Sequence, residues 1–166
     1  GSTEAPRVNA RFKGRSLAMD SFSTTGVDIT LVAGTAPGDA LTLAIATDAL
    51  LSDGDIVADS LSLKADGSNA RHQLQIAIIA AKQSIDGRLQ GGITAALDGW
   101  QGSIEVLNAT TTTLGAWSLA KPTPLSIGIE TASLGDSCLI RQSGPGRLCA
   151  QGSWRSNDDS ALALEL

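Results

Sequence analysis

The chain has 166 residues, a formal net charge of −5, 18 glycines, no tyrosine and only 3% aromatic residues. Its Lys and Arg form no tight cluster, which argues against nucleic acid as a partner, because phosphate contact needs concentrated positive charge. The same lack argues against a basic amphipathic helix on a membrane, and no apolar run approaches the roughly eighteen residues of a transmembrane helix.

Taken in order, Arg7-Val-Asn-Ala-Arg-Phe12 alternates and predicts a first strand; Gly14 and Arg15 then turn the chain toward the less regular Leu17–Phe22. Val27, Ile29 and Leu31 share one side of the next strand, since successive side chains of an extended chain point opposite ways. A loop over 34–39, with Pro37-Gly38 in it, leads to Leu41, Leu43 and Ile45 at the same spacing. Thr47 to Gly54 reads as a short helical turn, because Ala49, Leu50 and Leu51 do not alternate. Ile56 to Leu63 resumes a strand, with Leu61 and Leu63 on the apolar parity, and ends at Ala65-Asp-Gly-Ser68. His72-Gln-Leu-Gln-Ile-Ala-Ile78 places Leu74, Ile76 and Ile78 on one side. Ile78-Ile-Ala-Ala81 leaves a helical turn open, but Gln at every second place favours a strand.

Asp86-Gly87 signals a tight turn into Leu89 and the strand Ile93-Thr-Ala-Ala-Leu97, whose apolar parity is Ile93, Ala95 and Leu97. After Asp98-Gly99 the pattern gives Ile104 and Val106, then Gly115-Ala-Trp-Ser-Leu119, then Leu125, Ile127 and Ile129. Cys138-Leu-Ile140, Leu148-Cys149, Gly152-Ser-Trp154 and the strand-like Ala161–Leu166 follow. Alternation from Val8 to Leu164 thus predicts an all-β fold of about ten strands. Connections of two to six residues fit an antiparallel meander, since parallel crossovers need a dozen or more. No fixed repeat supports a solenoid. One side of such a sheet is apolar.

No catalytic constellation is visible. Cys138 and Cys149 flank the turn-rich Gln142-Ser-Gly-Pro-Gly146, so a hairpin there sets them opposite each other. That favours a disulfide of an oxidising compartment; two buried reduced thiols are the alternative. Two cysteines alone do not make a zinc site, and no metal is expected. His72, the one histidine, lacks a partnered nucleophile and reads as a hydrogen-bonded structural residue. Trp100, Trp117 and Trp154 could stack on sugars, but a tryptophan near a strand end more commonly caps an apolar layer while its N–H finds a partner.

Asp53, Asp55, Asp158 and Asp159 flank turns without the spacing of a calcium loop. Gly91-Gly92 and Gly144-Pro-Gly146 lack the strand–glycine–helix context of phosphate loops. Asn108-Ala-Thr110 matches a glycosylation acceptor, which matters only in a eukaryotic secretory setting. No cofactor and no enzymatic activity are implied.

Trp100-Gln-Gly102, Gly115-Ala-Trp117-Ser-Leu119 with the Pro124-Leu125 strand after it, Cys138-Leu139, and Leu148-Cys149 with Gly152 and Trp154 are more specific. Their order resembles the TamB family, the large AsmA-like subunits of the bacterial translocation and assembly module. Gly67-Ser68 before His72-Gln-Leu74 is similar to a recurring stretch of that family. The resemblance runs from about Leu61 to Trp154. Gly1-Ser2 reads as a cloning scar, and residues 3–166 as a segment excised from something longer; the resemblance implies that this segment is one β-groove of a periplasmic protein anchored in the inner membrane.

The resemblance implies a curled antiparallel sheet forming an open groove with an apolar interior. It also implies phospholipid acyl chains as cargo between inner and outer membranes, and an outer-membrane barrel partner of the TamA type. The alternative is a scaffold for outer-membrane β-barrel assembly. The expected groove comprises Val27, Ile29, Leu31, Leu41, Leu43, Ile45, Leu61, Leu63, Leu74, Ile76, Ile78, Ile93, Ala95, Leu97, Ile104, Val106, Leu125, Ile127 and Ile129.

Overall fold

Alternating apolar and polar or small residues keep the chain extended almost throughout. The structure, a computed structural model describing residues 6–156 and 161–165, contains strands and turns but no helix among those residues. The strands are β1 (Arg7–Met19), β2 (Phe22–Gly34), β3 (Ala40–Thr47), β4 (Ala49–Ser52), β5 (Asp55–Ala58), β6 (Ser60–Ser68) and β7 (His72–Ala80). They continue as β8 (Gln83–Ile93), β9 (Gly99–Thr111), β10 (Gly115–Leu119), β11 (Thr123–Gly128), β12 (Thr131–Arg141), β13 (Arg147–Arg155) and β14 (Ala161–Glu165). All fourteen join one sheet, and every pairing is antiparallel.

Three pairs of segments are collinear halves of one interrupted strand. β3 and β4 lie along β2, β6 and β5 lie along that strand in turn, and β10 and β11 both pair with β9 and β12. The result is an up-and-down meander of eleven rungs, each bonded to its sequence neighbours. At a strand spacing of about 4.8 Å, that makes a ribbon about 50 Å long.

The interruptions line up across the sheet. Gly26 in β2 stands by Asp48, between β3 and β4, and Asp59 follows between β5 and β6; the Asp48 and Asp59 amides bond to the Thr25 and Ile79 carbonyls. A second line runs through Glu105 in β9, the break over 120–122, and a register shift near Gly135 and Asp136 in β12. Bulges bend a strand and sharpen its twist, so bending concentrates along these two lines.

One rim is stitched by its loops. Buried Asn69 donates to the Gly34 and Ala36 carbonyls, at 2.7 and 3.0 Å, and accepts from the Ile93 amide. Further along, the Ile129 amide bonds to the Asp98 carbonyl and the Ser156 amide to the Glu130 carbonyl.

Several local expectations change. β1 runs through Gly14 and Arg15 without turning, and the chain reverses later, at Asp20 and Ser21. The helical turn read over 47–54 is instead strand β4 and a hairpin with Asp53 and Gly54 both at positive φ, the geometry such two-residue turns need. Asp86-Gly87 lies in the middle of β8, while the reversal falls on Ala81 and Lys82. There Gly87 pairs with Ile76 and Leu107 in extended chain, so long-range pairing overrides a local turn preference. The strand expected over 93–97 stops at Ile93, and Leu97 sits in a turn at φ 59°.

The area is decisive for architecture. A compact protein of 16.9 kDa exposes roughly 7,700 Å², whereas this chain exposes 10857 Å². Among the described residues, the buried apolar side chains are only Val27, Ala58, Ala65, Cys138 and Cys149. One curled sheet with no second layer packed on it explains both figures.

Candidate functional site: the apolar face of the sheet

Directly opposed residues in an antiparallel pair project to the same side, so the registers sort every strand residue onto one of two faces. Val27, Ile29 and Leu31 oppose Gly14, Phe12 and Ala10. Ile29, Leu31 and Ala33 in turn oppose Ile45, Leu43 and Leu41. Ile45, Leu43 and Thr47 oppose Leu63, Ala65 and Leu61. Those oppose Ile76, Leu74 and Ile78, which meet Gly87, Leu89 and Ile85. In β9 the row continues with Trp100 opposite Ile93 and Ile104 opposite Leu89, and in β11 with Ile127 and Leu125. Leu134 and Gly152 carry it onward to β13. The face is therefore continuous, and nearly all its large aliphatic side chains in the central strands are half-buried.

The opposite face carries Lys64, Gln75 and Arg88 in one cross-strand row. Beside them Asn108 donates to the Asp86 carboxylate at 2.9 Å, and Ser103 bonds to Glu105. At its β1 end, Lys13 and Arg11 reach Asp28 at 2.8 and 3.9 Å. The Lys13 hydrogen bond, helped by both positive charges against partial desolvation, holds the Asp28 carboxyl below the ordinary aspartate value.

Four of the expected groove residues fall elsewhere. The β9 register shifts between Leu89 and Arg88, so the strand changes parity around Glu105. Val106 consequently opposes Arg88 on the polar face, and Leu107, opposite Gly87, takes the apolar place. Ala95 and Leu97 lie in the β8–β9 turn, and Ile129 lies beyond β11, 79% exposed. Strict alternation could not find Leu107, because the signal is a bulge set by the neighbouring strand.

His72 lies on the apolar face, opposite Gly67 and Gly91, and is buried. An indole N–H can only donate. Trp100 gives it to His72 Nε2 at 2.9 Å, so the imidazole hydrogen lies on Nδ1, 2.9 Å from the Ser68 carbonyl. Both ring nitrogens are thus engaged in a neutral histidine, which leaves neither for a base or a metal. Trp117 donates its N–H to the Leu114 carbonyl at 3.1 Å. Trp154, 45% exposed, borders an apolar hollow of about 250 Å³ with Leu125, Leu134 and Gly152.

Cys138 and Cys149 are directly opposed and form a disulfide. They come near Asp136, but oxidised sulfurs supply no thiolate for a metal. Asp53 and Asp55 are exposed at the β4–β5 hairpin, while Asp158 and Asp159 lie outside the described residues.

The family that describes such a chain is TamB, N-terminal domain, which matches residues 1–166. The chain belongs to the TamB family. The match extends the sequence resemblance across the first sixty residues as well as the Trp- and Cys-bearing half. No curated protein and no solved structure matches it. TamB proteins are bacterial envelope proteins of the translocation and assembly module, so the geometry of an open apolar sheet belongs to an envelope setting.

Proposed function

We propose that this TamB domain carries phospholipid acyl chains along its apolar face, within the periplasm and between the inner and outer membranes. The parent protein would be anchored in the inner membrane and work with a TamA-type barrel. The observation that supports this reading most is the apolar row unbroken from β1 to β13 in a chain exposing 10857 Å². Exposed apolar patches beyond a few hundred Å² mark binding surfaces. Each acyl CH₂ removed from water contributes about 0.8 kcal/mol. Aliphatic walls without convergent polar groups suit chains of many conformations better than one rigid ligand.

The test pairs Ile76→Asp and Ile127→Arg with photocrosslinking to phospholipid from neighbouring apolar-face positions. On an open face the new charge reaches water, so both variants should melt near wild type and crosslink less lipid. Variants that melt normally yet crosslink lipid undiminished would end the conduit reading; variants that fail to fold would indicate a covered core.

A second reading, a scaffold for outer-membrane strands, draws on β1. Its outer edge pairs with no described strand, which leaves backbone groups open to strand addition. A peptide that crosslinks along β1 but not along the apolar face would favour it.

A further inference from the structure

Arg147 lies over the disulfide that joins β12 to β13. Its Nε is 3.0 Å from Cys149 Sγ, and a terminal nitrogen is 3.1 Å from Cys138 Sγ. A disulfide sulfur is a weak acceptor, so this placement gains little while the bond is intact. A guanidinium beside a thiolate gains far more, and favours the ionised form. The other charge facing the pair is Asp136, whose Oδ1 is 3.5 Å from Cys138 Sγ and whose Oδ2 is held by Lys121 Nζ at 2.9 Å. The β14 register also sets Glu165 across from Cys149. Access differs between the two sulfurs. Cys138 is 1% exposed and Cys149 7%, and Cys149 borders an open hollow of about 120 Å³ with Asp136, Gln151 and Leu164.

We propose that Cys138–Cys149 is an exchangeable disulfide whose reagent is an external dithiol, and that Arg147 holds the departing thiolate. A thiolate of the dithiol enters the hollow and attacks Cys149 Sγ. The Cys138–Cys149 bond breaks, and its electron pair leaves on Cys138 Sγ beside Arg147. The dithiol's second thiol, once deprotonated, then attacks the dithiol's own sulfur in the mixed disulfide and releases Cys149. The protein gains two electrons and the two protons the dithiol gave up, while the dithiol becomes a disulfide; oxidation runs the same steps backwards. Because the bond follows closely on the β12 register shift near Asp136, exchange removes the one covalent tie between β12 and β13 beside one of the two bending lines, while the backbone pairing remains. The proposal does not depend on what the apolar face carries.

The test compares wild type with Arg147→Met, Arg147→Lys and Asp136→Asn, all first checked for the oxidised fold by circular dichroism and melting. Dithiothreitol reduction is followed at neutral pH, and iodoacetamide alkylation of the reduced chain is followed against pH. Arg147→Met should slow alkylation roughly tenfold at neutral pH, the effect of about one unit in thiol acidity, and should slow reduction in parallel. Its pH profile should move upward, Arg147→Lys should keep most of both rates, and Asp136→Asn should raise them. Equal rates and equal profiles in Arg147→Met and wild type would overturn the proposal. So would a wild-type disulfide that reduces only as fast as the whole chain unfolds. Should Arg147→Met not fold, Asp136→Asn decides: rates no higher than wild type overturn the proposal.

Discussion

Trp100 donates its indole hydrogen to His72 Nε2 across 2.9 Å, and the same imidazole gives its one hydrogen, on Nδ1, to the Ser68 carbonyl. The pair fastens the start of β9 to the start of β7 across β8, close to the stitched rim. His72→Leu removes an acceptor and a donor at a buried site. Leaving buried polar groups unpaired costs about 1–3 kcal/mol, so the melting temperature should fall by roughly 3–10 °C for a chain of this size. Tryptophan fluorescence melts check this; an unchanged midpoint would mean that water replaces the histidine.

Gly91 and Gly102 oppose each other under the Trp100 ring. A Cβ at Gly91 would stand 2.5 Å from Trp100 Cζ2 and 2.3 Å from the Gln101 carbonyl oxygen; one at Gly102 would meet the ring at 2.6 Å. Gly91→Ala must therefore push β8 and β9 apart as well as displace the ring, disturbing its bond to His72. Overpacking of this kind costs about 1–3 kcal/mol. The double variant Gly91→Ala, His72→Leu should be less destabilised than the sum of the two singles, because each breaks the same contact. Additive losses would show that the two sites are independent.

Asp28 titrates below the ordinary aspartate value, chiefly through its Lys13 hydrogen bond. A carboxyl with a lowered folded-state value contributes stability above the unfolded value and loses it as the pH falls through the folded one. The side chain is 39% exposed, so the contribution is small and falls with salt. Carboxyl NMR titration should show Asp28 low in wild type and higher in Lys13→Met. An unmoved titration would remove Lys13 as the cause.

Much of this fold is legible in alternation alone. Leu41, Leu43 and Ile45 share a face with Leu61, Leu63, Leu74, Ile76 and Ile78 because those strands are regular, and a period of two then suffices. The sequence misleads where the sheet departs from regularity. Asp86-Gly87 carries a strong hairpin signal, yet pairing with β7 and β9 holds it extended. Ala49-Leu-Leu51 loses its alternation beside a strand break where Asp48, between β3 and β4, packs against Gly26 of the neighbouring β2. The Cys138–Cys149 pair was readable because a hairpin turn separates the residues; Arg147 over the sulfurs was not, since a period of two puts it on the side of Cys149 without showing that its side chain lies along the strand onto both sulfurs.

The bulge in β9 makes the sharpest test of which residues face the apolar side. Val106 opposes Arg88 and Leu107 opposes Gly87, whereas a strict period of two from Ile104 would choose Val106. Val106→Asp puts a carboxylate across from a guanidinium on the polar side, where opposite charges paired across strands contribute a few tenths of a kcal/mol. It should melt at or slightly above wild type and leave lipid crosslinking from the apolar face unchanged. Leu107→Asp puts the same charge among Ile104, Leu89 and Ile85. Because Leu107 is only half-buried, its carboxylate can reach water, so the chain should fold and lose most of its lipid crosslinks. Were that face covered by another layer, the unpaired charge would cost several kcal/mol, out of a total of about 5–15, and the variant would not fold. Loss of lipid in Val106→Asp with no loss in Leu107→Asp would place the apolar surface on the other side of β9 and undo the register on which the groove depends.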